Sequence, residues 1–190
     1  MIDVREAVTA NLAQLGQRVV DLAEINSGSF NPDGVDRVGD RLASFVEDLQ
    51  PDSLEKVAVA PTPVLSLEGV ADDAPVGSAL RAIKNADAPF QICLFGHLDT
   101  VFPVDHPFQQ VVADGQRLNG PGVADCKGGL VIAMEVLAQL ATASWAEQIG
   151  WELLVVPDEE IGSYGSKGLL AEAAAKANVG LGFEPALPSG

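Results

Sequence analysis

The chain has 190 residues, 47% of them apolar, so it is long and apolar enough to fold around one substantial core and is not a disordered segment. Its formal net charge of −16 lacks the basic footprint of a nucleic-acid binder, and acidic groups gathered in a cleft would attract cations. No apolar run approaches the ~20 residues of a membrane span, and two cysteines do not make a disulfide framework.

The start carries acidic residues and no apolar h-region, which gives the expectation of no secretory leader. Both thiols, Cys93 and Cys126, are then expected to be reduced in a cytoplasmic protein. Val8, Leu12, Leu15, Val19 and Leu22 recur at spacings of three and four, predicting an amphipathic helix from about Val4 to Ile25. The run Asn26-Ser27-Gly28-Ser29-Phe30-Asn31-Pro32 breaks it. A second helix is expected from Asp33, as N-cap, to about Leu49, with Val35, Val38, Leu42, Phe45 and Val46 on one side and Pro51 ending the segment.

Leu54 to Ala60 alternates as a strand, Val64 to Leu67 reads as its possible partner, and Asp72 to Ala88 has too weak a period to assign. Phe90 to Phe95 is a short, continuous apolar run, the pattern of a strand buried on both faces. Asp114-Gly115 between two short β-type pieces predicts a hairpin. Helices are expected over Lys127 to Leu140 and Gly165 to Ala177, and strands over Trp151 to Val156 and Val179 to Phe183. From residue 90 strands and helices alternate. The expected fold is therefore α/β: three layers, with a mainly parallel mixed sheet covered by helices on both faces.

Acidic residues and a histidine follow the expected strands. His97 and Asp99 come directly after the first core strand, two residues apart, so a carboxylate lies close enough to orient the imidazole. Taken alone, a His-x-Asp pair is commonly only a loop with a local hydrogen bond. Asp125 sits in the Gly-rich stretch Gly120 to Gly129, which reads three ways. A phosphate cradle fails because Lys127 is followed by Gly128, not by Ser or Thr. A cap on the following helix and a metal ligand both remain open. Asp158-Glu159-Glu160 is either a solvated turn or a set of carboxylates dividing metal binding from proton transfer. Glu184 follows the last strand and would face the same crevice. There is no G-x-S-x-G elbow, and neither cysteine has a nucleophile signature. Imidazole with several carboxylates suits zinc, and also manganese or cobalt.

Taken together, His97-Leu98-Asp99-Thr100-Val101, Gly120 through Gly129, Asp158-Glu159-Glu160-Ile161-Gly162-Ser163 and Phe183-Glu184-Pro185 resemble the two-zinc peptidases and amidohydrolases. That family includes glutamate carboxypeptidase, acetylornithine deacetylase, succinyl-diaminopimelate desuccinylase and aminoacylase. Asn26 through Ser29 and Gly34 through Val38 look most like the glutamate carboxypeptidase branch. The resemblance implies that His97, Asp125 and Glu184 bind one Zn2+, that Asp125 bridges to a second also held by Glu160, that Asp99 orients His97, and that Glu159 is the general base. Co2+ or Mn2+ would serve in place of Zn2+. It implies hydrolysis of an amide bond in a small peptide or N-acyl amino acid, and a non-proline cis peptide between Asp125 and Cys126.

The family's chains continue into a smaller inserted domain, usually a dimer interface, and then return with further catalytic-domain elements and a second histidine ligand. Residues 1–190 are accordingly expected to be the N-terminal portion of the catalytic domain, without those parts, holding one metal or none and pairing through surfaces otherwise covered. His106 is the one spare histidine, and it reads better as an ordinary loop residue than as a replacement ligand. The contrasting reading is a non-catalytic module that only binds metal or a partner chain.

Overall fold

The computed structural model describes residues 4–66, 68–115 and 117–186. Two helices open the chain, α1 (Val4–Ala23) and α2 (Pro32–Val46). Strands β1 (Ser53–Val57), β2 (Thr62–Leu65), β3 (Ala71–Ala74), β4 (Ala79–Lys84) and β5 (Phe90–His97) follow. Then come β6 (Val112–Asp114), β7 (Arg117–Asn119), α3 (Gly128–Ala141), β8 (Ile149–Val156), α4 (Lys167–Lys176) and β9 (Val179–Gly182). The main sheet has the order β1-β4-β8-β5-β9. β5 runs parallel to β8 and β9, as the alternation after residue 90 implies, while β4 and β1 add an antiparallel side. β2 with β3, and β6 with β7, form two separate hairpin-like pairs, the second around Asp114-Gly115.

β8 is central, and its alternation explains the layers. Trp151, Leu153 and Val155 face one side, where Leu80, Ala82 and Leu94 join them under α1, α2 and α3. Leu154 and Val156 face the other side with Ala79 and Cys93, under Ala173 of α4. On this second face Glu152 is buried and meets Arg81 of β4 at 2.9 Å. Both cysteines are buried and free.

Several sequence expectations are corrected. α2 is capped by Asn31, whose side chain accepts from the Gly34 N–H at 3.2 Å, and not by Asp33. Pro32, lacking an N–H and pre-set in φ, takes the first helical position and moves the start forward. α2 ends at Val46, and a 3-10 turn reaches Leu49 before Gln50 turns left-handed ahead of Pro51. On α1 only the second half packs: Leu12 is exposed while Val19 and Leu22 are buried. The unassigned stretch after Asp72 contains β4, which pairs on both edges. β1 ends at Val57, and the expected Val64 to Leu67 strand is Thr62–Leu65, with Leu67 outside the described residues. No described helix is long and apolar enough to cross a membrane.

Candidate metal centre

β5 and β8 end side by side, so the residues that follow them leave the sheet at one place. After β5 the chain is pinned by the Leu98 N–H to the Val156 carbonyl at 2.8 Å and by the Thr100 N–H to the Ser27 carbonyl at 2.9 Å. His97 is fully buried. Its Nδ1 lies 2.9 Å from the carbonyl oxygen of Asp99 and 3.4 Å from its carboxylate. Both are acceptors, so Nδ1 carries a proton and Nε2 faces outward. Nε2 is 3.0 Å from Asp125 Oδ1 and 3.8 Å from Glu184 Oε2. Burial opposes charge on the ring, but the bonds to Asp99 and Cys126 outweigh it and push His97 up to about 12. Nε2 is the ring nitrogen turned toward Asp125, and any proton on it must leave before a cation binds there.

Asp125 is presented by a π-type turn, Val123–Lys127, that starts from Gly122 with φ +71°. The Asp125–Cys126 peptide bond is cis. Asp125 does not cap α3: Lys127 occupies the N-cap position, with no side-chain cap bond. Cys126 ties the turn to β5, its Sγ accepting from the His97 N–H at 3.2 Å. Gly96 makes room for this contact, since a Cβ there would lie 3.1 Å from Cys126 Sγ and 2.8 Å from Leu130. Lys127 is buried behind the turn and donates to the Ile25 carbonyl at 3.1 Å. Burial pulls its ammonium down to about 7, against the pull of Cys126 and Asp99.

The three consecutive acids separate by environment. Asp158 is fully buried and accepts from the Gly165 N–H at 2.7 Å, the Ser166 N–H at 3.3 Å and the Ser166 hydroxyl. Glu159 and Glu160 remain half-exposed, and their backbone N–H groups donate to the Asp99 carboxylate at 3.1 and 3.2 Å. The Ser29 hydroxyl donates to the same carboxylate at 2.7 Å. Asp99, itself fully buried, therefore joins the turn before α2, the His97 ring and the turn after β8. Burial first, then the charge of Asp125, raises Glu160. Burial also raises Glu184, with the nearby His97 acting against it. Glu159 and Glu184 line one cleft of about 220 Å³ with Phe95 and Gly96.

One ligand atom each from His97, Asp125 and Glu184 lies within 4.8 Å of the others. Zinc bonds of about 2.0–2.2 Å in a tetrahedron put neighbouring donors about 3.3–3.6 Å apart. The His97–Asp125 and His97–Glu184 separations of 3.0 and 3.8 Å bracket that edge. Imidazole with two carboxylates suits zinc, cobalt or manganese, and half-exposed Asp125 and Glu184 leave an open side. These residues fit a divalent cation. Glu160 is not part of the triad. Nor is His106, whose Nδ1 accepts from the Phe108 N–H at 3.1 Å and whose ring packs against Phe102 at 5.1 Å. Ser29, Asp158 and Lys127 were not legible as site residues. Their one signal is position beside glycine-rich or acidic turns, because their burial exists only once three segments meet.

Residues 93–190 match the family described as peptidase family M20/M25/M40. Carboxypeptidase G2 of Pseudomonas sp. (strain RS-16) is 35% identical over 98 residues, 50% of this chain and 23% of that protein. Three solved structures share the fold. Human carnosine dipeptidase 1 has a TM-score of 0.72 at 16% identity, over 97% of this chain and 41% of its own. The dipeptidase Dug1p of Saccharomyces cerevisiae has 0.74 at 15% identity, over 94% and 40%. The M20 family metallo-carboxypeptidase Sso-CP2 of Sulfolobus solfataricus has 0.62 at 21% identity, over 93% and 38%. The chain thus spans less than half the length of each of these relatives.

Proposed function

The chain belongs to peptidase family M20/M25/M40, and from that premise we propose that it is the N-terminal portion of the catalytic domain of a metal-dependent amide hydrolase. The substrates on this reading are small peptides or N-acyl amino acids, in the manner of a glutamate carboxypeptidase, and the location is cytoplasmic. The convergence of His97, Asp125 and Glu184 within 4.8 Å is the observation that carries it. In this proposal those three residues hold one divalent cation, zinc by preference, and Asp125 with Glu160 faces a second. A cation held there supplies Lewis acidity toward a carbonyl oxygen and toward water.

The chain's own residues do the rest. Glu159, which lines one cleft with Glu184, accepts a proton from water and returns it to the departing amine. Asp99 keeps His97 in one ring orientation and, by accepting from the N–H groups of Glu159 and Glu160, holds base and ligand in one frame. The test is hydrolysis of N-acyl-glutamates by the zinc-loaded chain, with metal content measured in parallel. Glu159→Gln is expected to cut turnover by about 10²–10⁴-fold, the usual contribution of a positioned acid–base group, with metal stoichiometry unchanged. Metal binding without turnover in the parent chain would favour the non-catalytic module. No metal binding in a folded chain would refute the proposed centre.

A further inference from the structure

A second cavity, of about 500 Å³, is lined by Glu160 but not by Glu159 or Glu184. It falls within the size range of small-molecule sites, about 300–1,000 Å³. Ser29 and Glu160 line it together with the apolar Phe30, Val101, Val104 and Ile161. Three of these are large apolar side chains left well exposed: Phe30 at 59%, Val101 at 62% and Val104 at 65%. Scattered exposed apolar residues need no explanation, but three converging on one concavity beside a candidate metal centre mark a binding surface.

The cavity is preformed. Gly28 bridges to Thr100, and the Ser29 N–H donates to the Thr100 carbonyl at 3.2 Å. The Asn26 amide holds the Phe102 carbonyl at 3.0 Å. Gly28 is required here, because a Cβ would lie 2.6 Å from the Phe102 carbonyl oxygen. The Ser29–Asp99–Glu160 chain of hydrogen bonds, 2.7 and 3.2 Å, fixes these two lining residues to the same carboxylate that holds His97.

We propose that this cavity is a specificity subsite that receives an apolar group of aromatic size, attached to the substrate next to the scissile bond. The proposal rests on the hydrolase reading above for where that bond lies. Away from Glu160 the walls offer a carboxylate no partner: among the described residues none that lines the cavity is basic. A substrate's acidic end must therefore lie elsewhere, and the uncharged end occupies this side.

The test uses the full chain, zinc-loaded, and two metal-directed probes, acetohydroxamate and phenylacetohydroxamate, compared by calorimetry. The shared hydroxamate reports the metal and the ring reports the cavity. The phenyl probe is expected to bind at least about tenfold more tightly. Phe30→Ala and Val104→Asp, both at exposed positions, are expected to bring that ratio to within about twofold, with acetohydroxamate as the internal reference. A ratio near one in the parent chain, a ratio that survives both substitutions, or no binding of either probe to the zinc-loaded chain overturns the subsite. A chain that binds no zinc sinks the hydrolase reading instead. The subsite is then judged by saturation transfer from the protein's methyl groups to the phenyl ring: transfer lost in Val104→Asp supports it, and absent transfer in the parent chain overturns it.

Discussion

Replacing Asp99 by asparagine keeps the side chain's shape and removes its ability to accept on both ends. Oδ2 accepts from the Ser29 hydroxyl at 2.7 Å and the Glu160 N–H at 3.2 Å, while Oδ1 accepts from the Glu159 N–H at 3.1 Å. An asparagine has one acceptor oxygen and an NH₂ that only donates. The Ser29 hydroxyl can turn to accept from that NH₂, but a backbone N–H cannot. In either amide orientation one N–H, of Glu159 or of Glu160, loses its partner, costing about 1–3 kcal/mol. The surviving bonds also lose their charge assistance, roughly half their strength. Two effects act against this: the orphaned N–H is only half-buried, and removing a fully buried charge relieves its desolvation. The net expectation is a loss of about 2 kcal/mol of stability in urea unfolding of the metal-free chain, followed by far-UV circular dichroism. Zinc affinity is expected to fall by less than about 10-fold, because the bond from His97 Nδ1 to the Asp99 backbone carbonyl at 2.9 Å survives and only the carboxylate 3.4 Å away is changed. An Asp99→Asn chain that unfolds at the parent's urea midpoint and binds zinc equally well would refute the reasoning.

Cys93 gives a pH prediction. Burial, and then the charge of Glu152, pushes its thiol from the ordinary 9.0 up to about 11. A group raised in this way stabilises the fold below its unfolded value, and that stability is lost as pH climbs from 9 toward 11. The slope should flatten in Cys93→Ala, and peptide-resolved maleimide labelling at pH 8 should be far slower at Cys93 in the folded chain than in urea. Equal labelling in both states would count against the buried thiol. Arg81→Met leaves Glu152 buried without its partner and should cost about 3–5 kcal/mol in the same unfolding assay. Lys176→Ala, which breaks only the exposed pair with Glu172, should leave the midpoint unmoved.

β5 and β8 were legible because each is a short apolar run, a pattern that survives without knowledge of neighbours; β8 is covered on both faces, while β5 leaves Phe90 and Phe95 41% and 38% exposed. β4 was not legible. Its residues, Ala79-Leu80-Arg81-Ala82-Ile83-Lys84, favour helix as much as strand. They are extended because β1 and β8 pair with both edges and because Arg81 meets Glu152 across the sheet. The first half of α1 is helical as its spacing implies, yet Leu12 stays 63% exposed.

The candidate site divides along the same line. His97 ends β5 and Asp125 and Glu184 lie beside a helix start and a strand end, so position along the chain pointed to the three residues that the fold brings within 4.8 Å. What holds them was not readable, because a polar side chain's burial belongs to the assembled fold. Asp158 and Glu159 are neighbours of identical charge and nearly identical chemistry. One is sealed under Gly165 and Ser166, with its charge spent on their N–H groups and the Ser166 hydroxyl. The other faces the cleft with Glu184. Asp158 is thereby a brace for the turn, and Glu159 is left facing the cleft, where the proposed base has to be. That division of labour comes from the direction in which the chain leaves β8, which a run of three acidic letters does not encode.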